Sequence, residues 1–314
     1  MGEFDLINSI KEKIKNNSKD VIVGIGDDCA VLEKNKEEYQ LITTDSLVEQ
    51  DHFNLQWSTP EQVGKKAIEQ SVSDIAAMGG TPEFVLVSLG LKDQDQDFID
   101  KLYNGINEKL QLYNINLIGG NITHSNQIFI NITMLGSINK NKVALRKNAK
   151  IRDLIYCSGS VGSSTTGLEL LRSNLKGNSI THNLEPTSRL KLSHELTQLG
   201  IKCMIDVSDG VAPEVKHICT ESNLGAIIKA DKLPISQETI NDCKQLNKDP
   251  IDFALYGGED YELVFTAPIE LKEKLKDLDV TEIGIITDKD IKIKINNELK
   301  DIESGFDHFK RLRV

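Results

Sequence analysis

Short apolar stretches alternate with helix-like patterns along most of this chain, and none of the stretches is long. The longest, FVLVSLGL at 84–91, has the length of a strand, far short of the roughly 20 residues a membrane-spanning helix needs. Such alternation confines the chain to layered α/β or α+β architectures. At roughly 150 residues per domain, 314 residues predict two domains. An apolar content of 39% supplies two modest cores and excludes a wholly disordered chain. The formal charge, 37 − 48 = −11, repels phosphate backbones, so neither nucleic acid nor an anionic membrane is an expected partner. The opening MGEFDLINSI has acids where a signal peptide has bases, and Leu6 stands where a myristoylation motif wants Ser or Thr. A soluble, unanchored, cytoplasmic protein is expected.

Five scattered cysteines (Cys29, Cys157, Cys203, Cys219, Cys243) form no C-x-x-C pair, which argues against a disulfide framework or a zinc ribbon. No H-E-x-x-H occurs, so a zincin-type hydrolase has no support. Strands are predicted at 21–25, 40–44, 84–90 and 128–135. In the last, Ile128, Ile130, Ile132 and Met134 share one face. A helix opens at Thr59 as N-cap with Pro60 at its first position and stops at Gly79-Gly80; a second spans about 95–112. The polar stretch from 139 reads as a connection. The expected division is thus 1–138, a connection at 139–152, and 153–314. Beyond it, strands are predicted near 153–157, 203–207, 225–230 and 261–267. Helices are predicted near 165–173, 187–198, 212–222 and 268–278.

The acids are unusual in where they fall. Asp27 and Asp28 follow a strand and a G-x-G turn, Asp45 follows another strand, and Asp206 and Asp209 lie between a strand end and a helix start. Asp74 lies inside a helix, about 20° round from Val63 and so at the margin of an apolar stripe, while Gln62, Lys65, Lys66 and Glu69 take the other half. A carboxylate there is costly unless paired or metal-bound. A salt-bridged helix-edge aspartate accounts for Asp74 alone equally well; the other Asp-bearing segments weigh against it. Hard oxygen ligands without interleaved lysines, histidines or cysteines suit Mg²⁺, and Mg²⁺ in turn points to phosphoryl or nucleotide chemistry. The P-loop motif is absent, and GIGDDC matches only two glycines of a dinucleotide fingerprint. GSVGSSTTG (159–167) reads either as an anion-binding helix start or as an ordinary strand-helix turn.

Taken together, GEFDLI (2–7), GIGDDCAVL (24–32), TTDSLVEQDHF (43–53), SVSDIAAMGGTP (71–82), LIGGN (117–121), DVSDGV (206–211), GGEDYELVFTA (257–267) and GFDHF (305–309) resemble the thiamine-monophosphate kinase family of the aminoimidazole-ribonucleotide-synthetase-like superfamily. The resemblance implies a two-domain α/β (α+β-like) fold whose N-terminal sheet domain dimerises, followed by a C-terminal α/β domain. It implies ATP-dependent phosphorylation of thiamine monophosphate to thiamine diphosphate, with several Mg²⁺ ions and no general base. By motif position, metal ligands fall on Asp28, Thr43, Thr44, Asp45, Asp74, Asn121, Asp206 and Asp209. ATP contacts fall on Tyr103, Gly120, Asn121, Arg146 and Ser208, and substrate contacts on His52, Glu259 and Phe306. The family usually reads GGD where this chain has Gly119-Gly120-Asn121, so a weaker ion is expected there.

The nearest alternatives are superfamily enzymes acting on selenide, a formylglycinamidine nucleotide or a carboxamide thiol. The selenide branch is expected to carry an N-terminal reactive Cys or Sec and the carboxamide branch a C-terminal Cys; residues 1–20 and the closing RLRV hold neither. A non-catalytic Mg-nucleotide sensor is the alternative of another class, favoured only by Asn121.

Overall fold

The computed structural model describes residues 3–14 and 18–302. Its first part runs α1 (Glu3–Lys13), β1 (Val21–Val23), β2 (Ala30–Glu33), β3 (Glu38–Val48), α2 (Pro60–Ala77), β4 (Thr81–Leu91), α3 (Gln96–Tyr113), β5 (Asn116–His124) and β6 (Phe129–Asn139). The strands form one sheet in the order β1-β2-β3-β6-β4-β5. Only β4 and β5 are parallel, joined by the α3 crossover. The period-two pattern sets the faces: Leu41, Thr43 and Leu47 of β3 and Ile130, Ile132 and Met134 of β6 are buried beneath the helices. Thr44 and Ser46 point to the opposite, uncovered face.

The second part runs β7 (Leu154–Ser158), α4 (Ser163–Arg172), α5 (Ile180–Leu184), α6 (Leu190–Gln198), β8 (Cys203–Asp206), α7 (Val211–Ser222), β9 (Gly225–Lys229), α8 (Gln237–Leu246), α9 (Pro250–Tyr256), β10 (Leu263–Ala267), α10 (Lys272–Leu275), β11 (Val280–Thr287), β12 (Ile291–Ile295) and β13 (Glu298–Asp301). Its sheet has the order β13-β12-β9-β11-β7-β10-β8 and is antiparallel except for β12 against β9. One face packs on Ile205, Val215, Ile218 and Leu255, the other on Met204, Leu196 and the stacked Tyr156–Phe265 pair. No helix among the described residues is long and apolar enough to cross a membrane.

Helix α2 is the keystone. Its N-terminus closes as expected, with Thr59 and Gln62 forming a reciprocal capping box and Pro60 at the first position. Its polar half, by contrast, is not a solvated face. Lys66 and Glu69 are as buried as Val63 and Ile75, because α2 is enclosed by α3, the first sheet, α5, α6 and β8. The contact with α3 is close: a Cβ on Gly64 would lie 2.3 Å from the Leu102 carbonyl oxygen, and one on Gly105 2.0 Å from that of Glu61. The connection is firmer than its polarity predicts. Ala144 and Leu145 are buried, and their amides donate to the carbonyls of Met78 and Lys202. The predicted helix at 268–278 is only a 3₁₀ turn (Ile269–Leu271) followed by the four-residue α10. Only Leu275 of this stretch is buried, so little apolar contact supports a longer helix.

Candidate functional site

Three carboxylates from three distant segments converge. Asp28 precedes β2, Asp74 lies in α2 and Asp206 ends β8; one oxygen from each lies within 4.8 Å of the others. Burial pushes Asp74 well above the usual carboxylate range, and the charges of Asp45, Asp206 and Asp28 push it further. Asp206 is raised likewise, by burial and then by Asp28. Burial raises Asp45 too, against hydrogen bonds from Asp74, Ser71 and Gln70 that lower it. Asp27 beside them is pushed up to about 7 by burial and by Asp28.

Helix α2 arranges this cluster. Ser73 Oγ donates to Asp206 at 2.7 Å, Ser71 Oγ to Asp45 at 3.1 Å and Gln70 Nε2 to Asp45 at 3.2 Å. The Thr43 hydroxyl donates to Asp74. Gln70 Oε1 is buried without a hydrogen-bond partner among the described residues. Crowded hard oxygens that repel one another, with an unsatisfied acceptor on the same helix, fit a divalent cation such as Mg²⁺. Among the described residues, Arg146 is the cation seen to reach the cluster. Arg146 Nη2 donates to Asp28 at 2.5 Å and its backbone amide to Asp27 at 3.2 Å. Burial alone would lower the guanidinium, but Asp28, Glu214 and Asp27 raise it overall.

Ser208 and Asp209 form the turn after β8. A residue that sequence reasoning missed holds this turn: the buried Glu214 of α7 accepts from Ser208 Oγ at 3.2 Å and from the Asp209 amide at 3.0 Å. Its only sequence signal is an acid in the first turn of a helix that follows the aspartates.

His52 and Glu259 are also brought together. Lys66 Nζ donates to the His52 carbonyl at 3.0 Å and pairs with Glu259 Oε2 at 2.8 Å. The GGEDYEL segment works residue by residue. Asp260 accepts from the amides of Gly162 and Ser164 at the start of α4. The 159–167 loop is therefore an ordinary strand-helix turn whose donors are taken by an internal carboxylate, and burial raises that carboxyl to about 7. Glu262 binds Arg189 through both oxygens, and Tyr261 is buried.

Other expected site residues lie apart from the acids within this chain. The register aligns Ser46, Asn131, Ser88 and Asn121 in one row across β3, β6, β4 and β5. Asn121 thus stands three strand spacings, about 14 Å, from β3. It shares the uncovered face with Thr44, whose hydroxyl meets Thr133 at 3.2 Å. Gly120 lies beside Asn121 on the exposed edge strand, and Tyr103 is half-buried on α3 against the first core. Phe306 lies outside the described residues.

Two family profiles match the chain: the AIR synthase related protein N-terminal domain over 26–138 and its C-terminal domain over 153–296. A thiamine-monophosphate kinase of Bacillus subtilis is 34% identical over 99% of this chain and all of its own length. One of Haemophilus influenzae is 38% identical over 99% and 98% respectively. A solved structure described as AaThiL complexed with AMPPCP and TMP superposes with a TM-score of 0.88 at 34% identity, covering 98% of this chain and 97% of that one. The chain belongs to the AIR synthase related family and, within it, to the thiamine-monophosphate kinases.

Proposed function

We propose that this protein transfers the terminal phosphoryl group of ATP to the phosphate of thiamine monophosphate, giving thiamine diphosphate in the cytoplasm. The observation that carries the reading is the meeting of Asp28, Asp74 and Asp206, contributed by both parts of the chain on either side of the 139–152 connection. The acceptor is a phosphate monoester with a second pKa near 6, so its attacking oxygen is already anionic at about pH 7 and needs no general base. The obstacle is charge: two unit charges about 4 Å apart repel by about 4 kcal/mol at an effective dielectric of about 20. Mg²⁺ ions held among these carboxylates supply the counter-charge and the alignment for an in-line transfer. Asp28, Asp45, Asp74, Asp206 and Asp209 hold them, Ser73 and Ser71 orient the carboxylates, and Arg146 offers its guanidinium to nucleotide phosphate.

The proposed active form is a homodimer. β5 is an edge strand with Leu117, Ile118 and Ile122 exposed, a surface that favours a second copy. The three-strand separation of Asn121 from Thr44 supports a site to which one copy gives Thr44 and Asp45 and the other gives Asn121, Gly120 and Tyr103. The deciding experiment incubates purified protein with ATP, Mg²⁺ and thiamine monophosphate and follows thiamine diphosphate. Formation that stops in excess chelator is expected; ATP binding without product would favour a sensor instead. For the dimer, mixing inactive Asp74→Asn chains with Asn121→Ala chains should give more activity than the two kept apart, whereas no gain on mixing would make each site the work of one chain.

A further inference from the structure

Lys66 has only 3% of its side chain exposed, and its ammonium spans two segments far apart in sequence. On one side is the turn after β3, through the His52 carbonyl; on the other is Glu259 of the GGEDYEL loop. Desolvating a buried ion pair offsets much of its attraction, so the Lys66–Glu259 pair argues less for stability than for fixed geometry. Glu259 shows what that geometry is. Its backbone is left-handed (φ +64°), a conformation that side-chain-bearing residues seldom adopt. It is held there from three sides: its amide donates to the Ser208 carbonyl at 2.8 Å, its carboxylate meets Lys66, and Asn183 Nδ2 approaches the same oxygen at 3.3 Å. Yet 24% of the Glu259 side chain stays exposed, so the carboxylate is fixed in direction without being sealed in. The His52 turn is tied down as well, with its Nδ1 accepting from the Val48 amide at 3.2 Å.

We propose that Lys66 is a positioning residue for the acceptor: it locks the His52 turn and the Glu259 carboxylate at a fixed separation, so that the cationic organic part of thiamine monophosphate meets a preset pair. This rests on the kinase reading above. Asp74 lies eight residues further along the same helix, about 12 Å at 1.5 Å per residue, so one rigid element carries both the locator of the acceptor and a ligand of the metal cluster. Loss of Lys66 leaves the metal end intact and loosens the acceptor end alone.

The test compares full-length wild type with Lys66→Met, Lys66→Gln, Lys66→Arg, Glu259→Gln and the Lys66→Met/Glu259→Gln double variant. Steady-state kinetics are paired with calorimetric titration of thiamine monophosphate, which needs no turnover. Lys66→Met is expected to raise KM and Kd for thiamine monophosphate about 10- to 100-fold, the range for losing a residue that orients a ligand-contacting group, and to move KM for ATP less than about 2-fold. Lys66→Arg should recover part of the loss, and Lys66→Gln, which keeps a donor in the cavity, should fall between. The double variant should be no worse than the poorer single, because both changes dismantle one unit. Unchanged acceptor affinity in the Met and Gln variants, an equal loss for ATP, or multiplying effects in the double variant would each overturn the proposal. Wild type that binds thiamine monophosphate but makes no product would defeat the kinase reading while leaving the Lys66 outcome readable from Kd. Wild type that does not bind it at all would defeat both.

Discussion

Helix α2 carries two inward-facing carboxylates five residues apart, Glu69 buried and Asp74 partly buried, and their surroundings are opposite. Glu69 is fully enclosed and fully partnered: Lys109 Nζ at 2.7 Å, Tyr113 Oη at 2.8 Å and the Ser188 amide at 2.8 Å. Asp74 faces three other acids, and its own donor is the Thr43 hydroxyl. A paired buried charge fastens elements together; here Glu69 ties α2 to α3 and to the segment before α6. Like charges crowded together weaken a fold, and they persist where a cation is to be held. One turn of helix thus separates a fastening from a workplace.

The largest expected effect breaks the workplace. Asp74→Asn should lower kcat at saturating Mg²⁺ by at least ~10³-fold, the upper range for removing one preorganised electrostatic group. It should leave Tm unchanged or raised, since it removes a repelled charge. Near-native turnover would erase the distinction drawn here. The mirror experiment is Glu69→Ala, which strands Lys109 and should cost about 3–5 kcal/mol in urea denaturation. Activity per folded molecule should stay close to wild type, and a selective loss of turnover at full stability would reverse the assignment.

Acidity sharpens the contrast further. The folded chain binds the protons of Asp27, Asp74 and Asp206 more tightly than the unfolded chain does. Raised carboxyl values mean that these groups favour folding at low pH, and that this contribution drains away as pH climbs from the unfolded value near 4 through about 7 and above. In chelator-treated protein the Tm contribution of this site should therefore fall from pH ~5 to ~8, and the gain in Tm on adding Mg²⁺ should grow over the same interval. A Mg²⁺ gain that is flat or shrinking with pH would deny that the acids share a cation. The smallest effect belongs to the uncovered face: Asn121→Asp should lower the Mg²⁺ concentration for half-maximal activity by a few-fold, and an unaltered titration would remove Asn121 from the metal site.

Much of this was legible in the sequence. The alternation in β6 and the Thr59-Pro60 start of α2 are local signals, and local chemistry decided them. The extent of β5 was not legible, because every residue of this edge strand is exposed and paired glycines interrupt its apolar positions. Helices α8 and α9 escaped because they bury few side chains and so lack a strong apolar stripe. Asp206 ends β8 and Asp28 precedes β2 as expected, whereas Asp45, expected just after a strand, lies within β3, which runs on to Val48. Lys66, by contrast, looked like solvent-facing charge, since its partners lie 14 residues before it and 193 after it. No window on the chain can show a pairing of that reach. The 159–167 loop likewise advertised donors for an anion, and only the fold reveals that Asp260 already occupies them.

Where Gly64 and Gly105 let α2 and α3 touch backbone to backbone, there is no pliable side chain to absorb a shift. Two absent methyl groups set the tolerance to which the enzyme is machined. A spacer of one carbon at either position would tilt the shaft on which both ends of the site are mounted, far from any atom that reacts.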